Sequence, residues 1–193
     1  AFYEGDAHHP TDYDGVAFLT LPEWHHLLHE LIQEDKLRGQ LYEEGERVHL
    51  EKQDALYDSD WRELAHEGVI IRYRHLHEHL HHEAAAYIVT RDVYELPLRQ
   101  HMALELHRWR NFARHWDFDD TCFLFECVMI QNPLTVCWIR DGAEVEILYD
   151  YVKRIQKLIR PFNPLLIYIA TADQRASFQR IISERPEEWY HGF

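Results

Sequence analysis

Residues 121–130 read TCFLFECVMI, an apolar run broken only by Glu126 and the small polar residue at its start. A strand with one face in water alternates apolar with polar side chains. A run of this kind is expected where both faces are covered, as in a parallel sheet between helix layers. Residues 165–169 (LLIYI) repeat the pattern in shorter form. Between the two runs, Ile147, Leu148, Tyr151, Val152, Ile155, Leu158 and Ile159 recur at helical spacing, and Pro161 and Pro164 end the pattern. Strand, helix and strand in that order predict a crossover unit of a parallel sheet.

The flanking chain extends the prediction. Phe2 and Tyr3 read as a short strand running into Glu4-Gly5-Asp6. Thr20-Leu21-Pro22-Glu23 has capping-box spacing with proline in the first turn, and Trp24, Leu27, Leu28, Leu31 and Ile32 follow at helical intervals. A helix over 21–37 is expected, then loop with short helical pieces over 38–68. Val69-Ile70-Ile71 with Tyr73 reads as a brief strand or an extended connector. From Leu96 onward, Met102, Leu106, Trp109, Phe112, Ala113 and Trp116 lie on one stripe of a long helix, and 174–189 form the last one. The fold class expected is α/β, a three-layer α/β/α arrangement with a mainly parallel sheet. It reads as one domain over 1–193, with a histidine-rich, insertion-like region at about 38–90.

Charge narrows the partners. Among 193 residues, 34 are acidic and 20 basic, for a formal charge of −14. Nucleic-acid binding needs a basic face that displaces counterions, so it is not expected, and neither is a polybasic membrane anchor. No apolar stretch reaches the length of a membrane span and no signal-peptide pattern opens the chain. Three cysteines (Cys122, Cys127, Cys137) make no disulfide framework, which points to a reducing, cytoplasmic setting.

Several groups are candidates for chemistry. Glu126 interrupts an apolar strand, where an unpaired carboxylate would be expensive. Near the carboxyl end of a parallel strand it would face the ligand crevice and hold magnesium, directly or through water; the alternative is a buried structural carboxylate. Gln131 and Asn132 follow it and offer paired donors and acceptors to a substrate, unless they merely form the turn before a helix. Glu4 and Asp6 end the first strand, where a carboxylate can act as base toward a hydroxyl, with His8 and His9 close by. Arg175, Arg180 and Arg185 follow the last strand and suit phosphate, although Glu184, Glu187 and Glu188 offer ordinary ion pairs. The 16 histidines include His25, His26 and His29 and a dense run from His75 to His82, but no HExxH order. They read as pH-sensitive surface rather than a zinc site.

Glu4-Gly5-Asp6 with His9-Pro10, Tyr94-Glu95-Leu96-Pro97, Trp109-Arg110-Asn111-Phe112, Phe125-Glu126-Cys127 through Gln131-Asn132-Pro133, Pro161-Phe162-Asn163-Pro164 and the Glu184–Trp189 stretch occur in an order that resembles P-loop kinase-like proteins related to thymidylate kinases. The resemblance implies ATP and Mg²⁺ as cofactors and phosphoryl transfer to a small hydroxyl or phosphate acceptor. It puts Asp6 and Glu4 near the acceptor, Glu126 near magnesium, and Arg180 and Arg185 on a lid, with His9, Gln131, Asn132 and Arg175 binding substrate. The family's GxxxxGK[ST] loop does not occur in the sequence; it would precede Phe2, and a further strand would follow Phe193. These residues therefore read as the interior of a larger domain, not competent for catalysis as they stand. A non-catalytic nucleotide-binding or interaction protein is the alternative expectation.

Overall fold

Three short strands form the centre of the first part of the chain: β1 (Val16–Thr20), β2 (Glu46–His49) and β3 (Glu67–Arg72). Their order is β1-β3-β2, antiparallel at both junctions. The structure is a computed structural model that describes residues 12–50, 67–74, 76, 79–115 and 122–185. It divides into two compact units, Ala1–Phe162 and Asn163–Phe193.

The sheet is covered on both faces because its side chains alternate between two cores. Ala17, Leu19, Val69 and Ile71 join one core with Trp24, Leu27, Leu28 and Ile88. Val16, Phe18, Val48 and Ile70 join the other with Tyr13, Val93 and Leu104. Val69-Ile70-Ile71 is thus continuously apolar for the reason expected of a buried strand, and it is the central one. Gly68 is required beside it. A Cβ there would stand 2.3 Å from Phe18 Cε2 and 2.6 Å from the Leu19 carbonyl oxygen. The outer edge of β1 is closed by the 91–93 segment, where Phe18 N–H donates to Arg91 O at 3.0 Å and Val93 N–H to Val16 O at 2.9 Å.

Helix α1 (Leu21–His26) starts as its capping spacing predicts. The Thr20 backbone N–H and hydroxyl both donate to Glu23 Oε2, at 2.9 and 2.7 Å. It does not continue to residue 37. After a π-helical turn, Leu27–Leu31, the chain becomes extended at Ile32 (φ −109°). Arg38 then donates to the carbonyls of Ile32 (3.1 Å) and Gln33 (3.3 Å), satisfying the freed acceptors before α2 (Asp35–Glu44) begins. Helix α3 (His82–Val89) buries Ala84 and Ile88 in the first core.

Helix α4 (Leu98–His115) joins two cores. Ala103 and Leu104 face the sheet, whereas Met102, Leu106, Trp109 and Phe112 form the stripe expected from the sequence and meet a helical layer. That layer is α5 (Gln131–Leu134), which runs into a π-helical turn, Thr135–Arg140, and α6 (Val145–Ile159). Tyr151 and Ile155 are its buried contacts, and Pro161 lies in the 3-10 turn that ends α6.

The expected mainly parallel sheet is overturned: among the described residues the only sheet is the small antiparallel one, accompanied by seven α-helices. Residues 122–130 do not supply a strand. Cys127 takes φ +66°, a left-handed conformation through which no strand can run, and Val128 and Asn132 amides turn back onto the carbonyls of Glu126 and Cys127. Phe123 and Phe125 instead pack their rings on Phe112 (5.0 and 5.4 Å between centroids), leaving Leu124 90 % exposed. The apolar run serves a helix face by aromatic contact rather than a ladder by hydrogen bonds.

In the second unit, residues 165–169 have no strand partner among the described residues. Helix α7 (Gln174–Glu184) is capped by Asp173, whose Oδ1 accepts from Ala176 N–H at 2.9 Å. It ends before Arg185, which is extended, as a residue preceding proline prefers. The expected continuation over 186–189 and the expected strand at Phe2 and Tyr3 lie outside the described residues. Among the described residues no helix is long and apolar enough to cross a membrane.

Candidate functional site

Helix α4 buries two ionisable side chains one turn apart, His101 and Glu105. At i and i+4 they share a face. They line a cavity together with Trp109 from the same helix, Tyr94 from the preceding segment, Asn132 from α5 and Tyr151 from α6. Its enclosed space, about 20 Å³, is roughly that of one water.

Each polar wall has a defined state. His101 Nδ1 lies 3.0 Å from the Val93 carbonyl oxygen. A carbonyl only accepts, so Nδ1 carries the proton and Nε2 presents a lone pair. Burial holds the ring neutral by pulling its pKa down to about 4, against the opposing pull of the Val93 carbonyl. Burial pushes the Glu105 carboxyl up to about 8, with the Arg108 guanidinium pulling the other way and Asp12 adding to the rise. Burial also raises the Tyr151 and Tyr94 phenols, and the Glu105 charge adds to both.

Neighbouring polar groups are fully engaged. Arg108 donates to the Asp12 carbonyl and lies 4.1 Å from the Tyr13 ring centroid, while the Tyr13 hydroxyl donates to Leu104 O at 2.9 Å. The Tyr73 hydroxyl donates to Asp92 Oδ2 at 2.6 Å, and Tyr94 N–H donates to Asp92 Oδ1 at 2.8 Å. Arg140 donates to the carbonyls of Tyr94 and Leu96 and pairs with Asp141 at 2.6 Å. By contrast, neither the Glu105 carboxyl nor the Tyr151 hydroxyl has a hydrogen-bond partner among the described residues.

The residues expected from the sequence are not gathered here. Glu126 is exposed on the bend before α5, so it is neither in a strand nor at a sheet's carboxyl edge. Gln131 and Asn132 begin α5; the Gln131 Oε1 accepts from Cys127 Sγ at 3.2 Å, and Asn132 alone reaches the cavity. Arg175 and Arg180 are exposed on α7, where Arg180 stands 3.9 Å from Glu184, and Arg185 follows the helix. Glu4, Asp6 and His9 lie outside the described residues. The His25 and His29 rings stack at 5.9 Å, His26 pairs with Glu30 at 3.1 Å, and no group of three metal-ligating side chains occurs among the described residues. His101, Glu105 and Tyr151 are what the sequence reading missed. The available signal was positional: His101 and Glu105 each precede a residue of the apolar stripe, Met102 and Leu106, and so stand at its edge.

A second feature lies in the C-terminal unit. Leu165, Leu166, Ile167, Tyr168 and Ile169 are 84, 62, 68, 76 and 85 % exposed. Phe178 and Ile181 of α7 are exposed as well.

No protein-family model matches the chain, and neither a curated protein nor a solved structure does.

Proposed function

We propose that this chain is a non-catalytic interaction protein that lends residues 165–169 as a strand to the sheet of a protein partner. The exposure of five consecutive large apolar side chains carries the reading. Leaving them in water is unfavourable by about 25 cal/mol per Å² of apolar surface, and a contiguous patch of this kind marks a binding surface. Leu, Ile and Tyr on both faces suit a strand covered above and below, which strand addition to an open sheet edge supplies. Trp138, Ile139, Val145 and Tyr149, exposed in the first unit, support a binding role too.

The phosphotransferase expectation loses the parallel sheet on which its magnesium and acceptor positions depended. Arg175 and Arg180, exposed on α7, remain its support, and nucleotide binding is its test. The unpaired cysteines Cys122, Cys127 and Cys137 support a cytoplasmic setting.

Sedimentation of the whole chain tests the proposal. Without its partner, the wild type is expected to self-associate at tens of micromolar, because unpaired β-forming apolar segments pair with one another. A Leu166→Lys, Ile169→Lys chain, altered on both faces of the strand, should stay monomeric with an unchanged thermal melt. A wild type that stays monomeric at every concentration contradicts the reading. Retention of Mg·ATP in equilibrium dialysis would return the argument to the phosphotransferase.

A further inference from the structure

We propose that the α4 cavity receives a primary ammonium head group, the –CH₂–NH₃⁺ end of a small amine or of a lysine side chain. Size, valence and wall chemistry agree on that class. An ammonium head is water-sized, and so is the enclosed space of about 20 Å³. It has three N–H donors and no acceptor. The cavity offers matching acceptors: the Glu105 carboxylate, the His101 Nε2 lone pair and the Tyr151 phenol oxygen. Tyr94, Trp109 and Tyr151 add aromatic rings, whose faces attract a cation.

Glu105 is the second observation. It is 7 % exposed and lines the cavity, and because no hydrogen bond from the described residues reaches its carboxyl, the little exposure its oxygens keep is what a ligand would meet. A carboxyl with so little exposure is poorly hydrated, and a bound donor would complete it. An anion could bind only while Glu105 keeps its proton, so its affinity would fall, not rise, toward pH 8. A neutral alcohol gains no charge pairing when Glu105 ionises, so its affinity would not rise toward pH 8. An aliphatic stem would leave past Asn132 and Val128, which also line the cavity.

The charge balance then sets a pH dependence. Empty, Glu105 keeps its proton up to about pH 8, so binding R–NH₃⁺ at neutral pH expels that proton to solvent and leaves an ion pair. The groups facing Glu105 are Arg108 on its own helix, which opposes a cation but is held by the Asp12 carbonyl and the Tyr13 ring. The others are Asp12 and Tyr13 before β1, Tyr94 in the connecting segment, and Tyr151 on α6. Cys137 lies beside Tyr151, and Arg140 with Asp141 stands beside His101.

The test is titration of the whole chain, followed by NMR and calorimetry, with n-butylammonium, n-butanol, tetramethylammonium and Nα-acetyl-lysine methylamide. Butylammonium should bind at least tenfold more tightly than butanol and should be preferred over tetramethylammonium, which has no N–H. Its apparent affinity should rise about tenfold from pH 6.5 to pH 8 as Glu105 ionises, with proton release seen as a buffer-dependent heat. Glu105→Gln should weaken binding at least tenfold and abolish the pH dependence. Tyr151→Phe, which preserves the ring, should weaken it several-fold and keep that dependence. If acetyl-lysine methylamide binds as butylammonium does, the source is a peptide; if it does not, the source is a free amine. Equal affinity for butanol, unchanged binding by Glu105→Gln, or no binding of either amine up to tens of millimolar overturns the proposal.

Discussion

Helix α4 and the 165–169 segment place opposite kinds of side chain where they are least comfortable. On α4, Glu105 is taken out of water although it is an acid. In 165–169, five apolar side chains are left in water although nothing prevents a core from holding them. The difference teaches what each region depends on. The α4 face is built by neighbours already present: Trp109, Tyr151 and the Phe123–Phe125 turn surround it, so packing overrides the cost of a buried carboxyl. The 165–169 segment has no such neighbours within its own unit, and its composition is an unmet demand for them.

Removing the packing on one side should break this contrast most strongly. Trp109 is 2 % exposed and meets Phe112 and Phe125 at 6.1 and 5.4 Å. Trp109→Ala should lower unfolding stability by about 3–5 kcal/mol in urea titration. Leu166→Ala, measured the same way on the dilute chain, should change it by less than about 0.5 kcal/mol. Equal losses at the two sites would end the comparison.

Gly68→Ala comes next. The added methyl has no space between the Phe18 ring and the Leu19 carbonyl, and a loss of about 1–3 kcal/mol is expected, the sheet being the first region to lose protection. An unperturbed melt would mean that the β1–β3 approach is looser than described.

The buried acid gives a smaller effect with a defined sign. In the unfolded chain Glu105 ionises near 4.5, in the folded one near 8, so between those values the unfolded state has released a proton that the folded state keeps. Stability therefore falls as pH rises through that window. His101 acts oppositely: it takes up a proton near 6.5 when unfolded but only near 4 when folded, so stability falls as pH drops. From pH 4.5 to 6.5 the two slopes cancel. From 6.5 to 8 Glu105 acts alone, and its contribution should decline by about 2 kcal/mol. Glu105→Gln should lack that decline. An unchanged pH profile in the variant would mean that the carboxyl is solvated. The exposed pair Arg180–Glu184 marks the low end of the scale, with Arg180→Ala expected to shift stability by less than about 0.5 kcal/mol.

The helices and the sheet were unequally legible. Trp109 and Phe112 announce α4 by spacing, and Thr20 with Glu23 announces the start of α1, because those signals are local. The sheet was not, because an apolar run calls for cover without saying by what, or whether the chain itself supplies it. In 122–130 a helix face covers Phe123 and Phe125 while Leu124 stays exposed, and a left-handed residue breaks the extended run; in 69–71 the cover is two cores on an antiparallel sheet. Val16–Thr20, the strand that pairs with β3, drew no expectation at all, being short and lying directly before a strong helix signal. The cavity was hidden for a related reason. The cavity brings Glu105 together with Tyr94 and Tyr151, which lie 11 residues before it and 46 after it, and no pattern within α4 records that meeting.

Amide hydrogen exchange on the dilute whole chain tests the central contrast most directly. The account predicts that the amides of 165–169 exchange at the rate of unstructured chain, while those of Met102, Leu106 and Trp109 on α4 are protected to the level of global unfolding. Protection of 165–169 comparable to α4 in a verified monomer would contradict it, since those residues would then already have the cover that the interaction reading assigns to a partner.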